Sequence, residues 1–150
     1  MKRQTTATRQ RGAASIEFAF MFVLVFMLFY GMVGYVIPLA LLSSYNEISA
    51  EAVRASVLIP TNQDADDYKT QVKKTVQDVI DESWLGARSN DWKNQCKDYA
   101  EGYVDFSNDT ISVCIAHNNP KQIIPPITLF GWTFPQLPDA LIGEANIRLR

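Results

Sequence analysis

Between Phe18 and Leu42 the chain carries no charged side chain. Wound as a helix at about 1.5 Å per residue, that run outreaches the roughly 30 Å hydrocarbon layer of a bilayer, and a membrane span is expected. Its flanks orient it. Lys2, Arg3, Arg9 and Arg11 stand before it, whereas Glu47 and Glu51 follow it. The positive-inside rule then puts the N-terminus in the cytoplasm and everything past about Ser43 outside. Beyond the run remain about a hundred residues, enough for one small domain with a modest core.

Formal charge is −2, from 14 basic and 16 acidic residues. Setting aside the four basic residues before the run leaves ten against 16, a balance of −6. An acidic remainder argues against nucleic acid as a partner, which asks for a basic face. A secretory signal peptide would have a shorter apolar core with a small-x-small site directly after it. Here the run continues into "LLSSYNEISAEAVRAS", a good helix former, and Ala50-Glu51-Ala52 meets that pattern only formally, inside the helix. A plain membrane anchor accounts for the length and the basic flank but not for Glu17, an acid at the lip of the run. An acidic side chain at mid-bilayer costs roughly 2.5 to 3.5 kcal/mol on insertion scales, so its position asks for a role.

The arrangement Arg11-Gly12-Ala13-Ala14-Ser15-Ile16-Glu17-Phe18, with a basic leader before it and a long apolar helix after it, resembles the class III signal of type IV pilin-like proteins. That resemblance implies cleavage on the cytoplasmic side, between Gly12 and Ala13, by the membrane aspartyl protease called prepilin peptidase. Glu17 then becomes the fifth residue of the mature chain, where the family carries a glutamate. The wording "RGAASIEFAF" is closer to the TadE- and TadF-like pseudopilins of the tight adherence (Tad/Flp) pilus system than to type II secretion pseudopilins, which more often read G-F-T-L-I-E. The closing "LIGEANIRLR" is similar to the way TadE-like chains often end.

The chemistry of such a signal follows from the residues. Gly12 lets a protease approach its backbone closely, and the basic leader holds it at the cytoplasmic face. Cleavage leaves on Ala13 an α-amino group that is cationic at neutral pH. Glu17 lies one turn further along, able to meet its own amine or that of a neighbouring subunit. The second pairing makes it an assembly residue, because a charge unpaired in a dry bundle is penalised until a neighbour neutralises it in one axial register. The alternative is a glutamate snorkelling to the headgroups. Within the span, Gly31, Gly34 and Ala40 offer small surfaces for helix packing, though not in G-x-x-x-G spacing. Pro38 denies a hydrogen bond to the Gly34 carbonyl and is expected to kink the helix. Phe18, Phe20, Phe22, Phe26, Phe29 and Tyr30 form an aromatic surface suited to lipid contact.

Past the bilayer the helix is expected to run on to Pro60, with Ile48, Ala52, Ala55 and Ile59 on one face. Ser44 and Glu47 would make a capping box only if the helix restarted there. A second helix is legible from Asp64 to about Ser83, its stripe Tyr68, Val72, Val76, Val79 and Ile80, with Gly86 as a stop just beyond. Asp64, Asp66 and Asp67 suit its N-terminus and lack the spacing and trailing glutamate of a calcium loop. "YVDFSNDTISVCIAH" reads as a β-hairpin turning at Ser107, Asn108 and Asp109, with Ile111, Val113 and Ile115 on one face. "LIGEANIRLR" alternates as well and is expected to be a terminal strand, Leu141, Ala145, Ile147 and Leu149 inward. Prolines exclude a regular central strand from "NNPKQIIPPITLFGWTFPQLPD", which is either a partner-binding loop or one packed over the core.

Cys96 and Cys114 are the only cysteines. Both fall on the side the topology places in an oxidising compartment, where a disulfide would close a loop of about 18 residues for roughly 3 kcal/mol of stabilisation. Two sulfurs and the single His117 lack any zinc spacing, and no metal or other cofactor is expected. His117, at a strand end, is expected at the surface. Asn108-Asp109-Thr110 spells a glycosylation sequon, meaningful only in a eukaryotic secretory pathway, which the leader argues against. No phosphate loop, G-x-S-x-G or H-E-x-x-H stands in the chain, and an enzyme is not expected.

The expected fold class is α+β: a cytoplasmic leader over 1–12, a transmembrane and extended helix over 13–59, and a periplasmic domain over 60–150 with a second helix and a small antiparallel sheet, as in pilin-like folds. The resemblance implies an assembly subunit of the bacterial inner membrane, able to enter or prime a pilus. Its implied partners are prepilin peptidase, other pilin-like subunits, the pilus assembly machinery and membrane lipid. The competing readings are an unprocessed single-pass protein whose outer domain binds a partner, and a type II secretion pseudopilin.

Overall fold

An unbroken α-helix of 47 residues, α1, spans Arg11–Val57 and passes through Pro38. The computed structural model describes residues 11–62, 64–99, 102–107, 109–129 and 131–149. No restart is seen at Ser44, so the chain uses continuity there, not a cap. The helix ends where the amides of Leu58 and Ile59 bond to the carbonyls of Ala55 and Ser56, at 3.2 and 3.3 Å. These short-range bonds tighten the last turn and satisfy carbonyls that have no partner further on, and Pro60 follows.

The second helix, α2, spans Ala65–Glu82. Asp64 is its N-cap residue, and Asp66 and Asp67 lie in its first turn, where acids are favoured by the helix dipole. Val72, Val76 and Ile80 are fully buried, with Tyr68 and Val79 half-buried beside them, so the apolar stripe faces the core. Beyond the C-cap Ser83 the chain folds back tightly. A Cβ on Gly86 would fall 1.8 Å from the Asp81 carbonyl oxygen, so this stop admits no side chain.

Six strands follow among the described residues: β1 Asn94–Gln95, β2 Val104–Ser107, β3 Thr110–His117, β4 Ile127–Leu129, β5 Trp132–Phe134 and β6 Leu141–Arg148. Of these, β3 is the axis of an antiparallel sheet. One edge pairs with β6 along its whole length, from Thr110↔Arg148 to His117↔Leu141. The other is shared between β2, from Val104↔Val113 to Ser107↔Thr110, and β1 at Ile115 and Ala116. Asp109 takes φ 59° in the two-residue turn between β2 and β3, a left-handed conformation that Asp tolerates better than most residues. Asn108 lies outside the described residues.

The strand period of two divides β3 between two environments. Ile111, Val113 and Ile115 face α1 and α2 and complete a core with Tyr45, Ile48, Ala52 and Val53 of α1, Val104 of β2 and Leu85. Cys114 and Ala116 point to the other face, where Cys96 and Tyr99 pack on them. Cys96 and Cys114 form a disulfide with Cα atoms 5.9 Å apart, closing a separation of 18 residues.

His117 corrects the surface expectation. It shares the parity of Ile115 and is 2% exposed, its ring 4.8 Å from that of Trp92. Its Nδ1 lies 3.0 Å from the Asp91 carbonyl oxygen. A carbonyl only accepts, so Nδ1 carries the proton.

The contact between α1 and β6 holds the α+β domain to the long helix. At Gly143 the strand comes so close that a Cβ would sit 2.5 Å from the Tyr45 carbonyl carbon and Cβ. The Ser49 hydroxyl donates to the Gly143 carbonyl at 3.0 Å, and the Glu144 amide donates to the Asn46 side-chain oxygen at 3.2 Å. A buried serine on a helix is thus satisfied by a strand carbonyl, which otherwise would lose water without gaining a partner.

Candidate functional site: the bare half of the long helix

The two halves of α1 have different surroundings. From Tyr45 onward it lies under the sheet and α2, with Tyr45, Ser49, Ala52 and Ser56 inaccessible to water. Before that it stands bare. Ile16, Phe18 and Leu28 are 74%, 72% and 74% exposed, and Phe20, Phe22, Phe29 and Met32 are exposed to a similar degree. Contiguous apolar surface on this scale is foreign to a water-soluble monomer, where patches rarely exceed a few hundred Å². By length and composition this helix is able to cross a membrane. Along one of its faces Phe18, Phe22, Phe26 and Tyr30 stack at successive four-residue steps, with centroids 6.5, 6.4 and 6.2 Å apart.

The residues singled out for processing fall at the start of this half. Lys2, Arg3 and Arg9 lie outside the described residues, while Arg11 and Gly12 open α1. The Gly12-Ala13 peptide bond thereby lies at the N-terminal end of the described helix. Ala13 and Glu17 are both exposed, and an i, i+4 separation places them on one face, about 5–6 Å apart between Cβ atoms. Glu17 is thus presented outward at the end of the apolar face.

The proline-interrupted segment is neither a loop over the core nor part of the main sheet. Strands β4 and β5 form a separate antiparallel hairpin with Ile127↔Phe134, Thr128↔Thr133 and Leu129↔Trp132 in register. The Thr128 and Thr133 hydroxyls lie 3.1 Å apart, and Gly131, at φ 82°, helps turn the chain. Phe130 lies outside the described residues. The sequence held a sign of this hairpin: "ITL" and "WTF" mirror each other about Phe130-Gly131, a two-residue connection with glycine where a positive φ is needed. The flanking prolines hide it, because they argue against a central strand but not against an isolated pair.

This hairpin lies against the bare half of α1. The Tyr30 hydroxyl donates to the Pro125 carbonyl at 2.6 Å, and the Gln136 amide approaches the Tyr35 hydroxyl at 3.4 Å. Gly34 is buried against Pro135, where a Cβ would come within 3.1 Å of the ring. One of the small residues expected to serve helix packing therefore receives the chain's own hairpin. Gly31 has open space beside it. Between helix and hairpin runs an apolar groove of about 820 Å³, lined by Val23, Phe26, Met27, Tyr30, Trp132 and Phe134 among others.

The α+β domain carries a second aromatic cluster. Tyr45, Trp84 and Trp92 meet edge to face with centroids 6.0 and 6.3 Å apart, and Arg88 lies over Trp92. The Tyr45 hydroxyl donates to the Trp92 carbonyl at 2.6 Å, and burial pushes its pKa up to about 12. Tyr99 is likewise pushed up to about 12, first by burial and then by the Glu144 carboxylate it bonds at 3.1 Å. These contacts brace the fold; no group of three or more metal-ligating side chains occurs among the described residues. Comparison of the chain with family models, with curated proteins and with solved structures found no match.

Proposed function

We propose that the chain is a pilin-like assembly subunit, a pseudopilin of the TadE/TadF type, cut between Gly12 and Ala13 and held in the bacterial inner membrane by the bare half of α1. The observation that carries this reading is the outward glutamate, Glu17, one helical turn past a glycine bond and at the foot of an apolar helix half whose side chains are mostly exposed. After cleavage, the Ala13 amine of one copy and the Glu17 carboxylate of the next form a charge pair. In a dry bundle that pair rewards a single axial register. The apolar helix supplies contacts to other pilin-like subunits, and the outer α+β domain faces the assembly machinery in the periplasm.

Two measurements test the proposal. N-terminal sequencing and intact mass of the protein from native membranes are expected to show a chain starting at Ala13; a chain starting at Met1 removes the main support. Glu17→Ala is expected to leave cleavage intact and to abolish assembly, measured as recovery of the subunit in sheared surface filaments or in cross-linked oligomers. Unchanged assembly would favour an unprocessed single-pass protein with a partner-binding outer domain. The genomic neighbourhood separates a Tad/Flp subunit from a type II secretion pseudopilin.

A further inference from the structure

With α1 read as a membrane span, the β4–β5 hairpin lies at a depth where lipid cannot be its neighbour. Counting from Phe18 as the first residue in the hydrocarbon, at about 1.5 Å per residue, the groove residues Val23 and Tyr35 lie about 8 and 25 Å into a layer roughly 30 Å thick. The hairpin is fastened to that interval, through Tyr30 and Pro125, Tyr35 and Gln136, and Gly34 and Pro135. Among the described residues β4 and β5 pair only with each other, so each keeps an open edge. An edge open to lipid leaves backbone N–H and C=O groups without a partner, and non-helical backbone is tolerated at that depth only where protein surrounds it or water fills a cavity. Apolar side chains line this groove, and apolar cavities stay dry. The hairpin-on-helix arrangement therefore belongs to a subunit whose bare half is surrounded by protein.

The surfaces on the page fit a second copy of the chain as that protein. No charged residue stands between Lys121 and Asp139, nor between Phe18 and Leu42, so hairpin and helix close on each other without desolvating a charge. Gly31 lines the groove, and a Cβ there meets nothing within 4 Å. A small residue with open space beside it lets a neighbouring helix approach closely. Trp132, also lining the groove, is 70% exposed. The register comes from charge. A pair between the Ala13 amine of one copy and the Glu17 carboxylate of the next sets parallel helices four residues apart, about 6 Å along their axes. At that offset the level of residues 23–35 faces residues 19–31 of the neighbour, a stretch without charge in which Phe20, Phe22 and Phe29 are exposed.

We propose that the groove between α1 and the β4–β5 hairpin is the seat of the apolar helix of a second copy, whose residues 19–31 lie along it. This rests on the pseudopilin reading, which supplies both the span and the register. The contact is heterologous: the groove of one copy receives the helix of the next, whose own groove stays open for another. Such a contact repeats from copy to copy, as a filament or a closed ring requires.

The test puts photoreactive p-benzoylphenylalanine in place of Trp132 in the chain made together with prepilin peptidase. These copies are mixed, in vesicles of phosphatidylethanolamine and phosphatidylglycerol, with copies that carry heavy nitrogen and no probe, and the products of illumination are mapped by mass spectrometry. The expected product joins the probe to a heavy peptide within residues 19–31. Gly31→Leu in the probe-bearing copy fills the open space beside the helix and is expected to abolish that product. A probe that reaches only its own chain, lipid or another part of the heavy copy overturns the proposal, as does a product that Gly31→Leu leaves at full yield. A second probe, in place of Phe20, separates the two readings. Heavy products from the Phe20 position with none from the Trp132 position overturn the groove alone, whereas the absence of heavy products from both overturns the assembly reading with it.

Discussion

Gly143 joins the α+β domain to the long helix. Its missing side chain lets β6 lie against the Tyr45 backbone, and around it Ser49 and Asn46 complete the strand's hydrogen bonds. Gly143→Ala places a methyl group into main chain on a helix that has no room to yield. Overpacking of this kind costs about 1–3 kcal/mol, and the upper end is expected because the overlap is with backbone. The loss should appear as a lowered denaturant midpoint of the full chain in detergent, followed by near-ultraviolet circular dichroism. An unchanged midpoint would mean that the strand does not approach the helix so closely. In the sequence Gly143 is one glycine among seven, and nothing local marks it, because the constraint comes from a helix about a hundred residues earlier. His117 teaches the reverse: its strand parity with Ile111, Val113 and Ile115 was legible, and counting along the alternation would have put it in the core.

Among the elements, those with a clean period were readable. The stripe of α2, the alternation of β3 and β6 and the turn at Asp109 follow from spacing alone. The disulfide belongs to this scale as well, since it ties the short β1 region to the face of β3 turned away from the helices. Closing 18 residues confers about 3 kcal/mol in the chain-entropy model. Replacing Cys96 and Cys114 together by serine is expected to lower unfolding stability by about 2–4 kcal/mol while preserving the far-ultraviolet spectrum, because the principal core lies on the opposite face. A loss of helix and strand signal in the folded baseline would contradict that separation. The β4–β5 hairpin was harder, for its pairing is local but its support, Tyr30, Gly34 and Tyr35, is on α1.

For the whole molecule, stability is tied to alkaline pH through its tyrosines. Tyr45 and Tyr99 ionise near 12 in the folded chain, against an ordinary value of 10.0. Since the folded state holds these protons more tightly, their contribution is complete below about pH 10 and is lost as the pH rises toward 12. Tyrosinate absorbance is expected to show a component still protonated at pH 11, released together with unfolding and reduced when Tyr45 and Tyr99 are both replaced by phenylalanine; Tyr103, also raised by burial, keeps its part. If no such component remains at pH 11 while the fold persists, burial does not hold the protons of Tyr45 and Tyr99 as described. The acid side behaves oppositely at one exposed site. Hydrogen bonds from Gln77 and then Lys93 hold Asp81 below the usual carboxylate range, so its small contribution is lost as pH falls through that lowered value.

The amino-acid sequence by itself determined the long apolar helix, the α+β class of the domain that follows it and the pair of sulfurs, because each depends on composition or on a period that short stretches of chain carry. It also set Glu17 one turn past the Gly12-Ala13 bond, a matter of counting along a helix. Only the tertiary structure decided which half of α1 is covered, that Gly143 is where strand meets helix, and that an uncharged hairpin lies beside the bare half near Tyr30 and Tyr35. Those are contacts between residues far apart in the chain, fixed by surfaces that fit in three dimensions, and no local spacing encodes them.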